Sequence, residues 1–218
     1  MKREFLYSLL ILVVAGSCLI EYGGARWFSS LPSGRQNRMA VALLGICGLA
    51  LAVFRGNLLA SNCFVLAGAL VAGTLLSRQI GSVGALATML VVAAIVDVIS
   101  VHGGPSRWLV EQAQQARGVP VLQFLAISFR LRGRLVPVIG VGDLMFFTAV
   151  VSAVRRIGWS EISALVVPLA GILSALAVGL FTGFTPALPF LAGAVLLCAH
   201  GGNRSGLASR PDRNAPQS

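Results

Sequence analysis

The stretch Val138-Ile-Gly-Val-Gly-Asp-Leu-Met-Phe-Phe147 decides the fold, because it places Asp143 within a long apolar run, Leu135 to Val154. A second aspartate, Asp97, lies in another apolar run, Gly81 to Val101. An ionised carboxylate in hydrocarbon is strongly unfavourable, so such residues face a bundle interior or water and usually mark function. Two acids on such apolar segments indicate a pair that shares one proton.

The composition is that of an integral membrane protein. Of 218 residues, 56% are hydrophobic and 11% are charged, and the mean hydropathy is +0.86, whereas soluble domains carry about 25% charged residues. The net charge of +10 comes from arginines that flank the apolar runs, which predicts a lipid bilayer as the partner and no nucleic acid. The cysteines lie inside apolar runs without metal-ligand spacing, so we expect small buried side chains that form no disulfide and no metal site: Cys18, Cys47, Cys63 and Cys198.

The apolar runs predict an all-α fold, a polytopic transmembrane helix bundle of about seven spans. The predicted spans are Phe5 to Ile20, Met39 to Phe54, Leu58 to Leu76, Gly81 to Val101, Leu135 to Val154, Glu161 to Phe181 and Leu188 to His200. We expect three N-terminal membrane helices in residues 1–80 and a core of four spans in residues 81–200. A polar loop, 102–134, interrupts this core, and residues 201–218 are expected to be a disordered polar tail.

Four segments between or within these spans carry predictions of their own. Glu21 to Arg38, rich in Gly, Ser and Arg, is expected to be a solvated loop. A short surface helix is predicted for Arg107 to Ala116. The apolar piece Val119 to Phe129 is too short to span, which leaves an interfacial strand and a re-entrant segment as alternatives. Asn62, near the end of its span, either bonds across to another helix or lies at the interface.

Three separate stretches resemble the intramembrane aspartyl proteases. Gly140-Val-Gly-Asp143 is similar to their Gly-x-Gly-Asp signature, and Pro186-Ala-Leu188 is similar to the Pro-Ala-Leu motif of their last helix. Asp97 stands where the family has the aspartate of its Tyr-Asp pair. The segment 104–114 resembles the loop that follows this aspartate in presenilins, which favours the presenilin branch over the signal peptide peptidases. The motifs occur in family order, and an ordered set is more specific than a lone Gly-x-Gly-Asp.

This resemblance implies a presenilin-like catalytic core in the last four spans, with Asp97 and Asp143 as the catalytic dyad. It implies six positions that bind substrate or shape the site: Gly140, Val141, Gly142, Pro186, Ala187 and Leu188. The implied activity is hydrolysis of peptide bonds within the transmembrane helices of other membrane proteins, without a metal or another cofactor. Presenilins act with accessory subunits, whereas the microbial members of the family can work alone, and this compact chain is more similar to the latter.

Two features depart from the family pattern. Val96 replaces the Tyr that precedes the first aspartate, which removes a hydroxyl and a ring and bears on substrate fit more than on catalysis. The family has two more spans before its core than are predicted here. Losing two preserves parity, so the resemblance places the amino terminus and loop 102–134 in the cytosol. Basic residues divide almost evenly between the two sides, so the positive-inside rule gives no orientation of its own.

Two other functions stay open on the sequence. A proton- or cation-coupled carrier would use the two intramembrane aspartates as a relay, although no inverted repeat supports this reading. A prepilin peptidase would also contain Gly-x-Gly-Asp. Against that alternative, no Ile-Pro-Asn follows Asp97, and no Lys follows Asp143 in the place that the group favours.

Overall fold

The computed structural model describes residues 3–53, 57–104, 125–131, 134–182 and 185–206. Within these ranges the chain forms seven α-helices and one antiparallel sheet of two strands. The helices are α1 (Arg3–Ser29), α2 (Ser33–Val53), α3 (Leu58–Ser77), α4 (Val83–Gly103), α5 (Val141–Ile157), α6 (Glu161–Thr182) and α7 (Leu188–Gly206), and the strands are β1 (Ala126–Leu131) and β2 (Arg134–Gly140).

Five of the described helices, α1 to α4 and α6, are long enough and apolar enough to cross a membrane. The apolar part of α7 is shorter, and α5 has 17 residues, which is at the lower limit for a hydrocarbon core of ~30 Å. A predominantly helical fold with candidate membrane spans is therefore confirmed. The count of seven spans stays a prediction.

Helix α5 is the most enclosed element of the described fold. Its buried residues form an almost continuous run: Leu144, Phe147, Thr148, Ala149, Val150, Val151, Ser152, Ala153 and Val154. It contacts α1, α3, α4, α6, α7 and β2, and its most extensive contact is with α3. A helix that is apolar around most of its circumference is stable only where neighbours cover every side. The neighbours of α5 therefore fix the position of Asp143, which lies in its first turn.

Helices α3 and α5 approach each other closely at Gly73. A Cβ atom built on Gly73 would collide with the Met145 carbonyl oxygen and would lie 2.7 Å from the Thr148 Cβ atom. Both approaches are closer than real Cβ atoms make. Small residues let the backbones of membrane helices come together, so glycine at this position sets the separation of α3 from α5.

The start of α5 shows that the predicted span Leu135 to Val154 is wrong in its first part. Residues 134–140 form β2, and the helix begins only at Val141. Pro137 lacks the N–H that a helix interior would use, and the β-branched residues beside it suit a strand. The chain therefore enters the bundle in an extended conformation, and the helix begins only after the strand.

Strands β1 and β2 pair as an antiparallel hairpin. Ala126 lies opposite Gly140 at the open end, and the register shifts between Ile127 and Ser128. Such a bulge bends a strand locally and increases its twist. The predicted all-α fold class did not include this hairpin. It adds a small β element to an otherwise helical chain.

The hairpin also bears on the predictions for loop 102–134. The described part of the apolar piece Val119 to Phe129 lies mainly in β1, which favours the strand over the re-entrant alternative. Its remaining residues, 119–124, lie outside the described ranges, as does the predicted surface helix Arg107 to Ala116.

The prediction of a solvated loop from Glu21 to Arg38 is wrong. Helix α1 continues to Ser29, a short turn follows, and α2 begins at Ser33. Polar side chains of this stretch have partners within the fold: the Tyr22 hydroxyl donates to a Glu161 carboxylate oxygen at 2.6 Å. The polar composition of this stretch predicted a loop, but most of its residues lie in α1 or α2.

The predicted polar tail is partly helical, because α7 continues to Gly206. Residues 207–218 lie outside the described part of the chain. The cysteines form no disulfide, as predicted, but Cys18 is buried whereas Cys63 is exposed. The expectation that all of them are buried is therefore wrong.

We expect Gly73→Ala to lower the free energy of unfolding by about 1–3 kcal/mol, because the new methyl group forces α3 and α5 apart. The measurement is thermal or denaturant unfolding of the purified protein in detergent. Gly68→Ala is the matched control on the same helix, because a Cβ atom there meets nothing within 4 Å. Equal stability of the two variants would contradict a tight contact at Gly73.

Candidate active site

Asp97 and Asp143 line one cavity of about 490 Å³. Asp97 comes from the second half of α4 and Asp143 from the first turn of α5. Four other predicted site residues line the same cavity: Gly140, Gly142, Pro186 and Ala187. The structure thus brings together motifs that lie far apart in the sequence.

The start of its own helix holds Asp143. Gly140 is the N-cap residue of α5, with an extended backbone (φ −72°, ψ 150°), and Asp143 is the third residue of the helix. The Gly140 N–H donates to Oδ2 of Asp143 at 3.3 Å. A carboxylate here also interacts favourably with the partial positive charge of the helix N-terminus. A Cβ atom on Gly140 would lie 3.2 Å from that oxygen, which is a tight contact. Glycine at this position therefore avoids crowding the Asp143 carboxylate.

A different helix holds Asp97. The Leu188 N–H donates to Oδ2 of Asp97 at 3.0 Å, and Leu188 is the first residue of α7. The first N–H groups of a helix have no partner within the helix, so the carboxylate satisfies one of them. Pro186 precedes the helix and Pro189 lies in its first turn, where the missing proline N–H costs nothing. The two prolines therefore explain why α7 begins beside Asp97.

Two of the predicted site residues contribute in another way. Val141 is the first residue of α5 and packs, partly buried, against the hydrophobic core. The Leu188 side chain is buried, and the residue reaches the site through its backbone N–H.

Val96, the departure from the family pattern, is 59% exposed and does not line the cavity. Its side chain therefore lies outside the site.

The remaining walls of the cavity are almost wholly apolar, and α1 supplies part of them. Leu10 and Val14 of α1 line the cavity together with residues of α6 that include Ile172, Ala175 and Leu176. The contribution of α1 was not predicted. Leu10 and Val14 are spaced four residues apart, which places them on one helix face, but this spacing does not indicate which neighbour the face meets.

A buried carboxylate, Glu21, was also missed. Glu21 is 1% exposed, and its Oε2 accepts a hydrogen bond from the Thr148 hydroxyl at 2.6 Å. Thr148 is fully buried on α5, so this bond joins α1 to the helix that carries Asp143. Among the described residues, no group of three or more His, Cys, Asp or Glu side chains is arranged to hold a metal ion. The Glu21 bond to Thr148 therefore links α1 to α5.

Comparisons of the chain with protein-family models, with curated proteins and with solved structures found no match. The resemblance to presenilin-type proteases therefore stays a prediction. A proposal for the function therefore depends on the cavity and the two acids that line it.

We expect Glu21→Ala to lower the free energy of unfolding by about 2–4 kcal/mol. The change leaves the buried Thr148 hydroxyl without its acceptor and opens a cavity between α1 and α5. Glu21→Gln keeps an acceptor oxygen and nearly the same volume, so we expect it to lose less than about 1 kcal/mol. Unfolding in detergent measures both. Equal losses in the two variants would contradict the role of the Thr148 bond.

Proposed function

We propose that the protein is an intramembrane aspartic endopeptidase that hydrolyses peptide bonds within transmembrane helices. One observation carries the proposal: Asp97 and Asp143, from separate helices, line one cavity, and each accepts a hydrogen bond from a backbone N–H at a helix start. The glycines of the Gly-x-Gly-Asp stretch and the first two residues of the Pro-Ala-Leu stretch line the same cavity. The resemblance of these stretches to presenilin-type proteases supports the proposal.

The chemistry follows from two carboxyl groups in one cavity of low polarity. Both cannot ionise side by side, so the pair holds one proton between them. The ionised member takes a proton from water while the water oxygen bonds to the scissile carbonyl carbon, and the neutral member protonates the carbonyl oxygen. The C–N bond of the resulting diol then breaks as a proton moves to the leaving nitrogen. The proton can start on either aspartate, so neither is assigned as the base.

The backbone N–H donors orient the acids for this reaction. The Gly140 N–H donates to Oδ2 of Asp143 and the Leu188 N–H donates to Oδ2 of Asp97. Positioned acids and bases are effective because their geometry is set before the substrate arrives. The two helix starts therefore act as positioning groups for the dyad.

A helical substrate must unwind locally, because its peptide groups are bonded within the helix. Unwound backbone at membrane depth needs partners from the enzyme. The residues of β2 from Val136 to Gly140 line the cavity, and β1 covers only one edge of β2. We propose that the substrate adds as a strand to the other edge, with the residues at Pro186 and Ala187 on its far side. The apolar walls suit the side chains of a transmembrane segment.

The same proposal includes the setting of the enzyme. It is a multi-pass protein of about seven spans in the lipid bilayer, with its amino terminus and loop 102–134 in the cytosol. Its substrates are membrane proteins with transmembrane helices. The candidate spans and the apolar surface of the described helices support a place in the bilayer.

We expect Asp97→Asn and Asp143→Asn each to reduce cleavage by about 10²–10⁴-fold, because each removes one of the two acid–base groups. The measurement is cleavage of a labelled transmembrane peptide by purified protein in detergent. Glu161→Gln, which changes an exposed acid remote from the cavity, should keep the wild-type rate.

Persistent cleavage in either asparagine variant would rule out the dyad. Absence of cleavage by the wild type, together with ion flux into proteoliposomes that both asparagine variants abolish, would favour the carrier alternative.

A further inference from the structure

We infer that Asn62 of α3 is a positioning residue that holds the β1–β2 hairpin beside the cavity, by pairing with β1 as a neighbouring strand would. The inference rests on the proposed function and deepens it, because the hairpin is the element proposed to receive the substrate. Asn62 itself does not line the cavity.

The Asn62 side chain pairs with the backbone of one residue in two directions. Its Nδ2 donates to the Ser128 carbonyl oxygen at 2.8 Å, and the Ser128 N–H donates to its Oδ1 at 3.0 Å. A primary amide has both a donor and an acceptor, like a peptide group. The two bonds reproduce the reciprocal exchange that joins hydrogen-bonded residues of antiparallel strands. This pairing is more specific than a single polar contact at an interface.

The position of Ser128 in the hairpin explains why this partner is needed. Ser128 lies opposite Pro137, next to the register shift, but its N–H and its carbonyl oxygen both bond to Asn62 and therefore face the edge of β1 away from β2. Ser128 is 2% exposed, so water does not replace a missing partner. Unpaired peptide groups in such surroundings are strongly unfavourable. The Asn62 amide therefore supplies the partner that β1 would otherwise need from a further strand on its outer edge.

The pairing fixes the hairpin to the same helix that packs against α5. Helix α3 contacts β1 at one end and meets α5 at Gly73. Strand β2 leads directly into Gly140 and Asp143. Because α3 occupies the outer edge of β1, the proposed substrate strand would pair with the edge of β2 away from β1. Asn62 thus sets where an extended substrate lies relative to the dyad.

The first test measures the hairpin without substrate. In Asn62→Leu and Asn62→Ala we expect hydrogen exchange at the Ser128 amide to be about tenfold faster or more, the equivalent of one lost hydrogen bond of ~1.4 kcal/mol. Leu59→Ala is the control on the same helix, because Leu59 is 71% exposed, and it should exchange like the wild type. Unchanged exchange at Ser128 in both Asn62 variants would overturn the inference.

The second test measures cleavage of the transmembrane peptide. Loss of the pairing should raise KM about tenfold while kcat changes by less than about threefold, because docking is weakened and the dyad is untouched. Ser128→Ala should behave like the wild type, because it removes only the hydroxyl bond to the Ala126 carbonyl and keeps the peptide groups. A fall in kcat at constant KM would contradict a docking role.

The two tests separate this inference from the proposed function. Cleavage that survives Asp97→Asn or Asp143→Asn defeats the proposed function, whereas the exchange measurement still reports on Asn62. Cleavage that depends on both aspartates, with normal Ser128 exchange in the Asn62 variants, defeats this inference alone. Loss of the folded state in both Asn62 variants, seen by unfolding in detergent, would also defeat it by showing a global role.

Discussion

The hydrogen bonds between the two aspartates and the N–H groups of helix starts are the interactions on which the rest of the site depends. A carboxyl group in apolar surroundings needs donors, and the interior of a helix has none to spare, since its N–H groups are bonded within the helix. Free N–H groups occur where a helix begins. Gly140 and the prolines at 186 and 189 place two such beginnings at the cavity. Each of the two acids therefore requires a helix that begins beside it.

The same condition explains the hairpin. If α5 began at Leu135, as hydropathy predicts, Asp143 would lie in mid-helix without a free backbone donor from its own chain. A late start leaves the preceding residues extended, and their peptide groups then need partners of their own. Strand β1 supplies partners along one edge of β2, and the Asn62 amide in turn pairs with Ser128 of β1. The strand, the glycines and the first turn of α5 form one continuous arrangement around Asp143.

The residues that the sequence singled out lie around one cavity, and the two acids were informative because acids in apolar runs are rare. Asp97, Asp143, Gly140, Gly142 and the Pro-Ala stretch all meet at the cavity. The bounds of α3, α4 and α6 also lie within about two residues of the predicted spans. Periodicity and hydropathy describe local preference, and for these elements local preference agrees with the fold.

The remainder depends on partners that are distant in sequence. Glu21 was assigned to a loop because it follows an apolar run, yet its hydrogen bond comes from Thr148 on α5. Asn62 was left between two alternatives, and its partner is a strand that the apolar piece before Arg130 only suggested. Composition indicates that a residue is polar. It does not indicate which buried group will bond to it.

The enclosure of α5 has a consequence for how the chain is made. This helix carries Asp143 near one end and Arg155 with Arg156 at the other, and it is not among the described helices that qualify as spans by length and composition. On its own it would be a poor substrate for insertion by the translocon, where charged residues are disfavoured. We expect α5 to enter the bilayer only after α1, α3 and α4 have been synthesised, because these earlier helices cover part of its buried surface.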